Sequence, residues 1–292
     1  MSNTPGAAAS AYIAQMLSGY SIEVHPGDSK ALDAARERLR PGTEVFLTWI
    51  PGTNPMNLVT AAAQLRLAGK FSVPHVGARH LDSSAQLEQL AARLAGDAGV
   101  DRILLIGGDR AQPAGPYDSS LAVMESGVFQ EAGIRRMAIA GFPEGNPNIP
   151  DPVLLEALRA KVNFAAKAGL ELSIVTQFCF TAQPIVSWLN RIRAEGIENP
   201  VRVGLAGPAS LATLSRYAVR CGIGNSLHVL TEHPSFARLL SEKGPEPIIR
   251  GIVAQAGAGN NGNLPLGIAG LHFFVFGGFR KTVDWINAER PD

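Results

Sequence analysis

The feature that most constrains this chain is an alternation. Short apolar runs rich in β-branched residues are separated by longer stretches of helical period, the pattern left by repeated strand–helix–strand units. The runs fall at 20–24, 44–49, 71–75, 102–107, 136–141, 171–177, 201–206 and 271–276. Helices are expected before the first run and over 29–39, 55–68, 83–95, 151–168 and 182–194, most of them opened by a capping or turn residue. Eight strands joined by parallel crossovers close naturally into a barrel, so the expected fold is α/β, a (β/α)8 TIM barrel filling residues 1–292 as one domain. The seventh unit is irregular. A helix starting near Ser210 is followed by about 50 residues before the last run, and 234–240 and 247–256 read as extra helices ahead of strand eight.

Composition narrows the function. The net charge is +1 with no block of like charge, so the footprint of a nucleic-acid or anionic-membrane partner is missing and a small-molecule substrate is expected. Charged residues make up 17%, below the usual share of about 25%, which fits a partly covered, homo-oligomeric surface. Cys179 and Cys221 lack metal-ligand spacing and read as buried thiols of a reducing compartment. No basic segment ahead of an apolar run opens the chain and no stretch is long and apolar enough for a bilayer, so a cytoplasmic protein is expected.

In such barrels the active site lies at the carboxyl ends of the strands. There the sequence places Glu23, Thr48, His75, Asp109, Glu144 and Gln177, from strands one to six in turn. Lys161 and Lys167 fall inside the 151–168 helix, against Schiff-base chemistry from a strand. No H-E-x-x-H pair occurs, His75 and His80 are a lone spacing, and G-x-S-x-G is absent; no metal site is expected. What remains is carboxylates with amide and hydroxyl groups, a set suited to proton transfer and to stabilising a positive charge. Gly257 to Gly262 fits G-x-G-x-x-G literally, but follows a helix and precedes a strand, the reverse of a dinucleotide fingerprint. Gly204 to Pro208 and Gly277-Gly278, with Arg280 and Lys281 beyond, stand where barrels commonly hold phosphate.

Several of these pieces resemble the methylenetetrahydrofolate reductases. They are Ser21-Ile22-Glu23-Val24-His25-Pro26, Thr48, Pro74-His75, Gly108-Asp109, Phe142-Pro143-Glu144 with Pro147, Thr176-Gln177-Phe178 and the turn from Gly204 to Ser210. Their order along successive strands, more than any single piece, carries the resemblance. It implies reduction of 5,10-methylenetetrahydrofolate to 5-methyltetrahydrofolate, or the reverse oxidation, with FAD and with NADH or NADPH as hydride donor. One-carbon metabolism and methionine biosynthesis would be the setting.

The resemblance also implies roles. Glu23 would deliver the proton that opens the folate ring. Asp109 would lie near flavin and folate and stabilise the cation formed on opening, and Gln177 would bind the folate. Thr48, His75, Gly108, Phe142, Asn146 and Lys161 would join Asp109 in holding the flavin. The departures are specific: Gly107 stands where the family carries an arginine, Asn146 where it carries a histidine, and no aromatic counterpart is evident in the seventh unit. FAD is therefore expected to be held less tightly than is usual, with Arg110 and Lys161 the residues able to compensate. Two other readings stay open, a flavin-independent folate reductase of the same fold and a barrel that binds or processes a phosphorylated metabolite.

Overall fold

A computed structural model describes residues 5–50, 52–221, 244–257 and 264–290, without the side chains of 5–9, 220 and 221. Its strands are β1 (Ser21–Val24), β2 (Glu44–Leu47), β3 (Phe71–Gly77), β4 (Arg102–Ile106), β5 (Arg136–Gly141), β6 (Glu171–Thr176), β7 (Val201–Ala206) and β8 (Ile268–Phe274). They close into a barrel in chain order, with parallel pairing: Phe46 opposes Val73, His75 opposes Leu104, and Leu104 opposes Ala138. The expected (β/α)8 fold is therefore the observed one.

The helices are α1 (Pro5–Ser18), α2 (Ser29–Arg38), α3 (Met56–Leu67), α4 (Ser84–Gly96), α5 (Ser120–Glu125), α6 (Val128–Glu131), α7 (Asp151–Ala168), α8 (Ala182–Ala194), α9 (Leu211–Cys221), α10 (Glu246–Ala256) and α11 (Phe279–Glu289). Their starts follow local chemistry. Side-chain oxygens of Asp28, Ser83 and Ser119 accept the N–H groups of Ala31, Gln86 and Ala122, satisfying donors that an isolated first turn leaves orphaned. In α4 the buried residues are Leu87, Leu90, Ala91 and Leu94, the i, i+3, i+4, i+7 stripe that a helix lays on a sheet. The short helices α5 and α6 were not anticipated. Gly127, at φ 74°, divides them, and neither is long enough to show a helical period. The expected helix at 234–240 and residues 258–262 of the glycine motif lie outside the described residues.

Within the chain two compact units are distinguished. One comprises residues 22–140 and 156–174; its core holds Phe46, Leu58, Leu65, Leu81 and Phe129, each under 2% exposed. The first residues of β2, β4, β5 and β6 carry charged groups instead. Arg102 of β4 bonds to Glu44 of β2 and to Asp101 (2.9 Å), and its guanidinium sits 4.6 Å over the Phe71 ring of β3. Arg136 of β5 reaches Asp101 at 2.9 Å and Glu171 of β6 at 3.0 Å. This chain of charges ties together the amino ends of five strands, on the face where barrels carry stability rather than catalysis. The other unit comprises residues 1–21, 141–155 and 175–292. There β7 and β8 pair from Val201 to Ala206, α1 packs on β8 and α10, and Phe178, Phe180 and Phe273 fill the core.

Candidate active site

Glu23 is the third residue of β1, and its side chain is 15% exposed. Its Oε1 lies 3.7 Å from Nε2 of His75 on β3, whose side chain is 9% exposed. That separation is long for a hydrogen bond and within reach of an ion pair. His75 shares its face of β3 with Val73, which opposes Phe46, so the imidazole meets the Phe46 ring edge-on at 6.0 Å between centroids. Strand alternation thus brings a carboxyl and an imidazole together beside the Phe46 ring. Thr48 follows β2, half-buried, with its N–H bonded to Val24 O at 3.1 Å.

Asp109 stands in the segment after β4, its side chain 62% exposed. Oδ1 accepts from His80 Nε2 at 2.8 Å. Gly108 before it has φ 93°, a conformation that glycine adopts without the steric penalty of a Cβ. The segment is strapped from the preceding turn. Arg79 donates Nε to Asp118 O (2.9 Å) and Nη1 to Arg110 O and Ala111 O (2.9 and 3.2 Å). At Gly115 a Cβ would stand 2.3 Å from Asp82 O, so only glycine permits this approach of the two backbones. The Arg110 side chain is exposed and donates Nε to Gln112 O at 3.4 Å.

Lys161 is half-buried on α7, one turn from buried Leu158 and Ala165 on the inward stripe of that helix. Burial pulls its ammonium down from the ordinary lysine value to about 8.

In the unit holding residues 141–155 and 175–292, Phe142 follows β5 and is half-buried. Asn146 Oδ1 accepts the Asn148 N–H at 2.9 Å, an Asx turn that spends the side chain on its own segment. Glu144 lies against the buried Cys179 thiol, which burial first and the Glu144 charge second push well above its ordinary value. Gln177 Oε1 accepts the Phe178 N–H at 3.1 Å, so the amide NH2 is what it offers outward.

Sequence reasoning missed two groups. His80 was set aside as a lone spacing with His75, and nothing local marks it as the partner of Asp109. The second is aromatic. Tyr217 of α9, in the seventh unit where no counterpart was evident, stacks on Phe276 at 4.3 Å and 27°, and Phe178 meets Phe276 edge-on at 4.9 Å. Phe276 holds φ 47°, a left-handed conformation disfavoured for a bulky side chain, which no sequence signal announces.

The glycine turns that the rival phosphate reading would use already donate N–H groups within the protein. Gly207 N–H donates to Phe274 O at 2.9 Å and Gly278 N–H to Val275 O at 2.7 Å. No group of three His, Cys, Asp or Glu residues able to hold a metal gathers among the described residues, and no described helix is long and apolar enough to cross a membrane. No protein-family model matches the chain.

Proposed function

We propose that this chain reduces 5,10-methylenetetrahydrofolate to 5-methyltetrahydrofolate, or runs the reverse oxidation, with a nicotinamide nucleotide and a bound flavin. The observation that carries the reading is the largely buried Glu23 carboxyl facing His75 across 3.7 Å at the carboxyl ends of β1 and β3. Opening the five-membered ring of the folate needs a proton at N10, and a shielded carboxyl backed by an imidazole is a donor with a route for its own replenishment. Asp109 supplies a carboxylate for the cation that ring opening leaves on the pterin side.

The groups fit a flavin dinucleotide in kind. The Thr48 hydroxyl suits the polar edge of the ring system, and Lys161 is a cation for the phosphates. When bound, the flavin supplies hydride acceptance from the nicotinamide and hydride delivery to the folate. The protein's part is to orient both partners, exclude water and move one proton. Gly107 has open space where a Cβ would stand, and Asn146 is engaged in its own turn, so neither replaces the missing cations. Losing two charge-assisted contacts weakens binding by roughly two to four decades before compensation.

The rival reading, a phosphorylated metabolite held by the glycine turns, is less well supported because Gly207 and Gly278 already spend their N–H groups on backbone carbonyls. The test is to saturate purified protein with FAD and assay oxidation of NADH and NADPH with and without methylenetetrahydrofolate. A flavin spectrum bleached by the nicotinamide and restored by the folate is expected. Folate-dependent oxidation by a colourless protein would replace this reading with the flavin-independent one, and no folate dependence at all would end both.

A further inference from the structure

The turn after β3 holds an imidazole to which the proposed chemistry gives no role of its own. His80 closes the single-turn helix Ala78–His80, and its side chain is 6% exposed. Nε2 meets Asp109 Oδ1 at 2.8 Å, while Nδ1 is buried with no hydrogen-bond partner. A neutral ring with a carboxylate at one nitrogen and nothing at the other carries its proton on Nε2, so His80 donates and Asp109 accepts.

The ring has little freedom to do otherwise. Trp49 meets it edge-on at 5.6 Å between centroids. Backbone crowds it on two sides: a Cβ on Gly77 would stand 2.9 Å from Nδ1, and one on Gly108 would stand 3.1 Å from Nε2. A buried, immobilised donor is thus aimed at a carboxylate that is 62% exposed. An exposed aspartate without such a partner samples several rotamers, and catalytic geometry is lost with displacements of an ångström.

We propose that His80 is the positioning residue of Asp109. It holds Oδ1, fixes the rotamer, and leaves Oδ2 as the oxygen that accepts from the pterin and faces the developing cation. The inference rests on the folate-reductase reading, and Arg79 serves it by tying the same segment at three carbonyls.

The test combines a ligand-free and a kinetic readout. In histidine-labelled protein without cofactor, the nitrogen spectrum is expected to show His80 protonated at Nε2, and Asp109→Asn to displace that signal. In flavin-loaded enzyme, His80→Phe keeps the ring and removes the donor. It should slow folate turnover by about ten- to a hundredfold while changing the nicotinamide-to-flavin step less than about twofold. His80→Gln restores an N–H and should recover most of the loss. Adding His80→Phe to Asp109→Asn should cost nothing further, the signature of two groups acting as one. A His80 signal indifferent to Asp109→Asn overturns the inference, and so does normal folate turnover in His80→Phe. Should His80→Phe not fold, the labelled spectrum and the turnover of His80→Gln against His80→Ala decide it, equal losses in the two being the overturning result. A wild-type enzyme with no folate turnover removes the inference together with the reading beneath it, an outcome distinct from an active wild type that ignores His80.

Discussion

Glu23 and Lys161 put the functional reading at its sharpest, because each is an ionisable group partly withdrawn from water. Glu23→Gln keeps the volume and polarity of the side chain and removes the proton. It is expected to slow the folate step by on the order of a hundredfold or more while leaving nicotinamide-to-flavin transfer intact. Stopped-flow measurement of the two half-reactions checks this, and an unaffected folate step would take Glu23 out of the mechanism. For Lys161, burial holds the folded value at about 8, below its unfolded value. The unfolded chain therefore binds more protons between about 8 and the ordinary lysine range, and stability must rise with pH across that window. Lys161→Met is expected to flatten the rise and to add on the order of 1 to 2 kcal/mol near neutrality, read from urea midpoints, because the side chain is only half-buried. FAD binding near pH 8 should draw a proton into the wild type and none into the variant. Calorimetry in buffers of different ionisation enthalpy distinguishes them.

At the scale of elements, the alternation of short apolar runs with longer stretches of helical period marked every strand, because runs such as 136–141 are too short for a helix and 151–168 too long for a strand. The eighth strand shows where that logic stops. The apolar run suggests 271–276, yet the strand spans Ile268–Phe274, because Phe276 turns left-handed to stack on Tyr217 and the pairing with β7 begins earlier, across an irregularity at Val201 and Arg202. Apolar content does not separate the two halves of that run, of which Leu271 to Phe273 are buried and Phe274 to Phe276 only half-buried. The candidate site divides in the same way. Glu23, Thr48, His75 and Asp109 were legible because each lies near or beyond the carboxyl end of a strand. His80, Trp49 and Tyr217 were not, since their relevance lies in contacts across 29, 31 and 59 residues of chain with Asp109, His80 and Phe276. The segment carrying Asp109 makes a further prediction. Gly115→Ala forces a Cβ within 2.3 Å of Asp82 O, so the strap must shift. A loss of about 1 to 3 kcal/mol is expected, with faster amide exchange confined to 107–119. Uniform exchange across the chain would refute it.

On the scale of the whole barrel, the charged network stands at the amino ends of the strands, opposite the ends where the proposed chemistry lies. The charges on the first residues of β2, β4, β5 and β6 are graded in exposure: Arg102 and Glu44 are 17% and 15% exposed, against 47% for Arg136 and 73% for Glu171. The inner pair therefore matters most, and the outer pairs contribute at most about 1 kcal/mol each. Asp101 is held below the ordinary carboxylate range by its hydrogen bond from Arg102, with burial opposing. Because its folded value lies below its unfolded one, its stabilisation is present above the ordinary carboxylate range and lost as pH falls through the folded value. Asp101→Asn should be less stable than the wild type near pH 7 and approach it near pH 3, as measured by urea midpoints; a constant gap would assign the loss to packing. The inner pair also has a thermal consequence. Dehydrating a charge costs less as temperature rises, so Arg102 and Glu44 weigh more in the hot protein than in the cold one. Replacing Arg102 by methionine and Glu44 by glutamine together should cost less at room temperature than in the hot protein, bringing forward the point at which the barrel melts.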